Sequence, residues 1–337
     1  MSDADNPPDR LDEATQAFLD HRELIFSIVY DMLGLLQDTE DVLQEVWLSW
    51  QARCQSPAEP VLNARAYLVR MAVNQAMARQ VSIRRRREAY VGPWLPEPLL
   101  TEQVEHLPGG EADASAEVVE RTEAVSIALL VVLETLTPLE RAVFVLHDVF
   151  GFQHTEIAVI LDRSPSAIRQ LAHRAHEHVQ ARRPRFRIEP RVRREATERF
   201  LAAAIGGDLP GLMEILAPNV TVWTDGGGRI RRTIPRPIHG REKASKFICA
   251  VASKDLAGVE IRYRQVNGDP TAVIYSEGSP LAVMVLDLAP GGGQVTAVYT
   301  VTNPEKLTGV IKDVVGEAMT TSEREQGVRT ENSEDMR

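Results

Sequence analysis

Residues 137–179, TPLERAVFVLHDVFGFQHTEIAVILDRSPSAIRQLAHRAHEHV, constrain the fold of this chain more than any other stretch, because they read as helix, loop, short helix, tight turn and helix. Thr137, Pro138 and Glu140 supply a hydroxyl N-cap, a proline at the first helical position and a glutamate placed to reach back. The chain passes Gly151 and restarts at Thr155. Segment 156–161 is too short to stand alone as a helix, so packing against the next helix must hold it. Ser164 and Pro165 repeat the cap-plus-proline start. In the last helix Ile168, Leu171, Ala172, Ala175 and Val179 fall on one side and form the expected buried face. Ser166, Arg169, Gln170, His173 and Arg174 fall on the other, and these residue types bond base edges and phosphates in a major groove. Spacing alone leaves two readings open: a helix-turn-helix that enters DNA, and a helical hairpin with a solvated polar face.

The net charge of -10 opposes nucleic acid only if it is spread evenly, and it is not. Arg84, Arg85, Arg86 and Arg87 form one basic block; Arg182, Arg183, Arg185, Arg187, Arg191, Arg193 and Arg194 form a second just after the last helix. Two such runs flanking helical segments favour phosphate binding, with a solvated linker as the alternative. A chain of 337 residues allows two or three domains, each with its own core. No apolar run is long and uncharged enough to span a bilayer, and the acidic start MSDADNPPDRLDEA is not a signal peptide. Cys54 and Cys249 are the two cysteines, far apart and without a metal-ligand pattern around either. A cytoplasmic protein without disulfides, metal, cofactor or membrane contact is the expectation.

Along the chain, residues 11–36 read as one amphipathic helix with Phe18, Ile25, Val29 and Leu33 among its apolar positions. Thr39 is expected to start another. There Val42, Leu43, Val46, Trp47 and Trp50 make an inner face, and Asp38, Asp41, Gln44, Glu45 and Leu48 lie across the opposite, exposed side. That acidic side is either solvated surface or a protein-docking face. Residues 63–87 are helical again, apolar through Tyr67, Leu68, Met71, Ala72 and Val73 and then strongly basic; Asn74, Gln75, Arg79 and Arg84 suit a nucleic-acid backbone or unstacked bases.

The order of an acidic DTEDVLQEVWLSW helix, a basic RAYLVRMAVNQAMARQ helix and TPLERAVFVLHDVFGF, EIAVIL and SPSAIRQLAHRA resembles regions two and four of the sigma-70 superfamily in its short extracytoplasmic-function form. The match covers roughly residues 11–180. It implies a factor that binds RNA polymerase core and directs it to particular promoters. The resemblance assigns docking on the clamp helices of the largest polymerase subunit to Asp38, Asp41, Gln44, Glu45 and Leu48. It assigns minus-ten DNA contacts to Asn74, Gln75, Arg79 and Arg84, and minus-thirty-five contacts to Ser166, Arg169, Gln170, His173 and Arg174.

Between the regions, residues 89–115 are rich in proline, glycine and acid and read as a linker. Trp94 and Leu95 are poor residues for an idle tether and are expected to pack, with the C-terminal domain as the available partner. The stretch Trp94, Leu95, Pro96, Glu97 and Pro98 resembles the linker of the subgroup that carries a SnoaL-like C-terminal extension. Strand composition at 220–224, 259–266, 271–276, 281–288 and 294–302, after a helix over 192–205 and with another near 241–252, argues for an α+β domain. It resembles the cone-shaped NTF2-like fold. Asp225, Gly226, Gly227, Gly228 and Arg229, and Asn303, Pro304, Glu305, Lys306 and Leu307, resemble the subgroup's two C-terminal signatures, which the resemblance places at or near the linker. An acid such as Asp225 in an apolar cone, helped by His239, is the alternative, since SnoaL-type cyclases use a pocket acid.

The expected architecture is therefore multidomain. An all-α half comprises region two (11–88), the linker (89–115) and a region-four helix-turn-helix (116–182); an α+β NTF2-like cone (183–310) and a polar, disordered tail (311–337) come after it. The expected function is a non-enzymatic sigma factor whose fused domain regulates it, with RNA polymerase core and promoter DNA as partners and an unidentified small ligand in the cone. An operator-binding regulator, or a SnoaL-class enzyme with a DNA-binding appendage, are the rivals.

Overall fold

In the computed structural model the described residues are 7–56, 61–101, 125–182, 188–228, 234–255 and 258–310. Much of the linker, Arg183, Arg185, Arg187, Arg229 and the tail after residue 310 lie outside them. The chain divides into two compact units. One comprises Met1–Glu97, Thr101–Glu189 and Gln265–Asp269; the other comprises Pro98–Leu100, Pro190–Arg264 and Pro270–Arg337.

The first unit is helical. Helices α1 (Pro7–Leu33), α2 (Leu36–Gln55) and α3 (Ala64–Glu88) share a core in which Ile25, Ile28, Val29, Met32, Val42, Val46, Leu68 and Val73 are inaccessible to water. Helix α2 begins before the expected Thr39, because its start does not depend on a local cap. Leu35 contributes no side-chain bond; instead the Leu36 amide donates to Glu97 Oε2 at 2.8 Å, and the Thr39 hydroxyl donates to the Leu35 carbonyl at 2.7 Å. A carboxylate from the linker thus satisfies an orphan donor at a helix N-terminus, where the dipole also favours negative charge.

The linker residues 94–97 are packed, and in this unit region two receives them. Leu95 is fully buried, Tyr30 donates to the Glu97 carbonyl at 2.6 Å, and the Glu97 amide donates to the Gly34 carbonyl at 2.8 Å. Gly34 has φ +70, and a Cβ there would stand 3.4 Å from the Cβ of Pro96, so glycine suits both the turn and the close approach. Trp94 lies edge-on to Tyr90 at 4.6 Å and under the Arg87 guanidinium at 5.2 Å. Asn267, also of this unit and 2% exposed, donates its amide to the Tyr30 hydroxyl at 2.8 Å.

The same unit holds α4 (Ile127–Leu133), α5 (Pro138–Phe144) continued by a π turn (Val145–Val149), α6 (His154–Leu161) and α7 (Pro165–Arg182). These helices pack against α1 and α3. The Arg141 Nε donates to the Asp31 carbonyl at 3.0 Å, Arg87 pairs with Glu134 at 2.7 Å, and Arg65 lies over the Phe152 ring at 4.9 Å.

The second unit is α+β. Helices α8 (Pro190–Ile205) and α9 (Leu209–Ile215) precede β1 (Leu216–Asp225) and β2 (Ile238–His239); α10 (Arg241–Asp255) then interrupts β3 (Glu260–Val266), β4 (Asp269–Ser276), β5 (Ser279–Leu288) and β6 (Val295–Val301). The sheet order is β2-β1-β6-β5-β4-β3, with β1 parallel to β6 and the β4, β5 and β6 pairs antiparallel. By register Val283, Val285, Tyr299 and Val301 share one face of the β5–β6 pair and all four are buried, and buried Arg193 of α8 donates to the Leu286 carbonyl at 2.9 Å. The five strands expected from composition all form; the two-residue β2 is too short to leave a periodic signal.

Candidate nucleic-acid interface and its acidic neighbour

The helix-turn-helix is built by local chemistry. Thr137 and Glu140 close a capping box, with the Glu140 amide on the Thr137 hydroxyl at 3.3 Å and the Thr137 amide on Glu140 Oε2 at 3.1 Å. Gln153 and Glu156 form a second box at the start of α6. Asp162 ends α6 in the left-handed region at φ 51, which turns the chain at once into α7, and Ser164 accepts from the Ala167 amide at 3.2 Å. Ile168, Leu171, Ala172, Ala175 and Val179 are buried, as the spacing requires. Ser166, Arg169, Gln170, His173 and Arg174 are all exposed on the opposite side. Arg174 lies 3.6 Å from Glu140 while remaining 60% exposed, so its guanidinium is anchored yet open to solvent.

The acidic side of α2 departs from expectation. Gln44, Glu45 and Leu48 are exposed, with Leu48 the most prominent apolar side chain on that helix at 55%, and Asp41 is half-exposed. Asp38, expected among them, is buried at 5% and receives Arg86 Nη2 on both oxygens at 2.7 Å. The reason is the early helix start, which places Asp38 in the first turn of α2 against α3 rather than in the loop before it. Arg79 of α3 reaches the same acids, at 3.7 Å from Asp38, 3.5 Å from Asp41 and 2.8 Å from Glu45. Two surfaces that sequence reading kept apart are therefore one ion-paired cluster. Asn74 and Arg84 are exposed on α3, Arg84 pairing with Glu88 at 3.8 Å, and Gln75 is half-buried.

The two C-terminal signature motifs meet in the second unit. Asp225 is fully buried at the end of β1, and its Oδ2 accepts from Lys306 Nζ at 2.8 Å while Oδ1 accepts from the Gly227 amide at 3.2 Å. Its carbonyl takes the Thr302 and Asn303 amides at 2.7 and 2.9 Å. Gly227, at φ +66, lies so close to Asn303 that a Cβ would stand 2.9 Å from its side-chain carbon. Glycine and asparagine here serve contact between the motifs. His239 does not help Asp225: it is exposed on β2 and bonded to Thr221 at 3.2 Å. Among the described residues no group of three or more His, Cys, Asp or Glu side chains is placed to hold a metal ion, and no helix is long and apolar enough to cross a membrane.

A helical region with an acid-faced α2 beside a basic α3, in one unit with a helix-turn-helix, is the arrangement of a transcription initiation factor. Residues 17–88 match the family profile for sigma-70 region 2, and residues 126–179 that for sigma-70 region 4. The chain belongs to the extracytoplasmic-function sigma factors of the sigma-70 superfamily. It is 32% identical over 298 residues to the ECF RNA polymerase sigma factor SigJ of Mycobacterium tuberculosis H37Rv, a match covering 86% of this chain and 91% of the relative. A probable ECF RNA polymerase sigma factor, SigI, of the same species is 27% identical over 310 residues, covering 88% of this chain and 95% of the relative. The crystal structure of the M. tuberculosis extracytoplasmic function sigma factor SigJ superposes with a TM-score of 0.65 at 30% identity, over 87% of this chain and 97% of that one. Both relatives run through the α+β half as well as the helical one.

Proposed function

We propose that this sigma factor docks its α2 surface, centred on Asp41, Gln44, Glu45 and Leu48, on the clamp helices of the largest RNA polymerase subunit, and reads promoter DNA with α3 and α7. Supporting the docking role is the composition of that surface: exposed acids around one prominent leucine are what a basic helical partner with an apolar contact point recognises. Supporting the reading role is the exposed row Ser166, Arg169, Gln170, His173 and Arg174, the carrying observation, since each donor stands clear of the buried face of α7. The α+β unit acts as a regulator of initiation rather than as an enzyme. Its one deeply buried signature acid, Asp225, is held by Lys306 and is a poor general acid or base for a substrate.

Run-off transcription with core polymerase and a genomic promoter library tests this reading. The wild-type chain is expected to select a defined set of promoters. Arg169→Ala and Gln170→Ala are each expected to alter preference at particular upstream base pairs by about 1 to 3 kcal/mol. An equal loss on every sequence would mean that α7 holds phosphates without reading bases.

A further inference from the structure

Arg79 sits where two functions collide. Its guanidinium, with 25% of the side chain exposed, is shared among Asp38, Asp41 and Glu45, while Asp41 and Glu45 keep 39% and 54% of their side chains open to solvent. The acids are thus accessible to an incoming cation, and the cation that neutralises them belongs to the helix expected to meet DNA. Both terminal nitrogens of Arg79 are turned to carboxylates, Nη1 to Asp38 and Asp41 and Nη2 to Glu45, so a bidentate grip on a phosphate or base requires it to release them. Asp38 does not depend on it, because Arg86 holds both of its oxygens at 2.7 Å. That second pair keeps α2 and α3 joined if Arg79 leaves. Exchange costs little, since half-exposed ion pairs are screened by water and salt.

We propose that Arg79 is a transferable counter-ion. It neutralises the acidic face of α2 while the chain is alone; when basic residues of polymerase core take over Asp41 and Glu45, Arg79 swings free to contact the single-stranded promoter. The inference rests on the reading of α2 as the core-docking helix. Core binding and DNA binding are then coupled through one side chain, and the coupling is reciprocal. The free factor is held from DNA by its own docking surface.

The test uses the full-length chain, core polymerase and a labelled oligo(dT) strand at one fixed salt concentration. Removing the internal competitor should tighten core binding, so Arg79→Ala and Arg79→Gln are expected to raise core affinity about two- to fivefold, the worth of an exposed ion-pair network. In the absence of core, Asp41→Asn with Glu45→Gln should raise oligo(dT) affinity, and adding Arg79→Ala should abolish that gain. Glu40→Gln, which removes a charge of α2 paired with Arg22 at 3.1 Å instead, controls for net charge and should do little. If both Arg79 variants leave core affinity unchanged or weaken it, or if the oligo(dT) gain survives without Arg79, the proposal is overturned while the docking reading stands. If the Asp41→Asn, Glu45→Gln chain binds core as the wild type does, the docking reading itself has failed and the proposal goes with it. Circular dichroism confirms that each variant is folded.

Discussion

At the residue scale, a helix face does not settle the environment of a charge; Asp38 is 5% exposed with Arg86 on both of its oxygens at 2.7 Å, while Asp41, one turn on, keeps 39% of its side chain open to solvent. Asp38 and Asp41 look alike in a helical wheel; only the neighbouring helix decides that Arg86 removes Asp38 from the surface. Asp225 is the clearer case. Its motif invited a catalytic reading, yet Lys306, eighty-one positions later, turns it into half of a buried ion pair with side chains 0% and 5% exposed. Such a pair contributes little net stability as a unit but is costly to break. Lys306→Met alone leaves an uncompensated buried carboxylate and is expected to destabilise the α+β unit by about 3 to 5 kcal/mol, whereas adding Asp225→Asn should recover much of that loss. Urea unfolding of the four chains of this cycle measures it. A loss from Lys306→Met below about 1 kcal/mol would mean that water reaches the pair and that the motifs are held by Gly227 and Asn303 instead.

At the scale of elements, the legible parts came from local chemistry and the illegible ones from long-range contact. The capping residues Thr137, Glu140, Ser164 and Pro165 announce α5 and α7, and strand composition announces five strands. The start of α2 was misplaced because its cap, Glu97, comes from sixty-one residues away. The contact between α1 and α5 was equally invisible, and it carries a titratable group. Asp31 lies fully buried beside Arg141, whose Nε donates to the Asp31 carbonyl. Burial pushes the Asp31 carboxyl up to about 8 against the pull of Arg141, whose own value burial brings down to about 10. The folded group therefore keeps its proton where the unfolded one, titrating near 3.8, has lost it. Its contribution is fully present below that lower value and is lost as pH rises through about 8, each unit in the window removing up to roughly 1.4 kcal/mol. Asp31→Asn, neutral at every pH, is expected to match the wild type in acid and to become progressively more stable than it up to about pH 8. Denaturation midpoints that keep a constant difference between the two chains across that range would show that Asp31 ionises normally.

At the scale of the whole molecule, regions two and four form one packed unit here, tied by Arg141 to Asp31, Arg87 to Glu134 and Arg65 to Phe152. A factor that spans two promoter elements must let these helices separate, and the linker that would have to extend is the one buried through Leu95 and Glu97. If core polymerase or a signal separates these helices, the packed form is one side of a two-state population. Chain order alone does not respect the unit, because Asn267 donates to Tyr30, which in turn donates to the Glu97 carbonyl. Deleting everything from Pro190 onward removes that donor together with the α+β unit, so truncation is expected to change promoter output strongly. The point change Asn267→Ala isolates one bond: it leaves a buried tyrosine hydroxyl short of a partner at a cost of roughly 1 to 3 kcal/mol, loosening the linker while the rest of the chain remains. If the packed linker restrains initiation, Asn267→Ala and Trp94→Ala should both move run-off output in the direction of the Pro190 truncation. Output from the truncated chain equal to wild type would remove the regulatory role from the C-terminal half. Point variants that move output the opposite way would instead mean that the packed linker supports the active geometry.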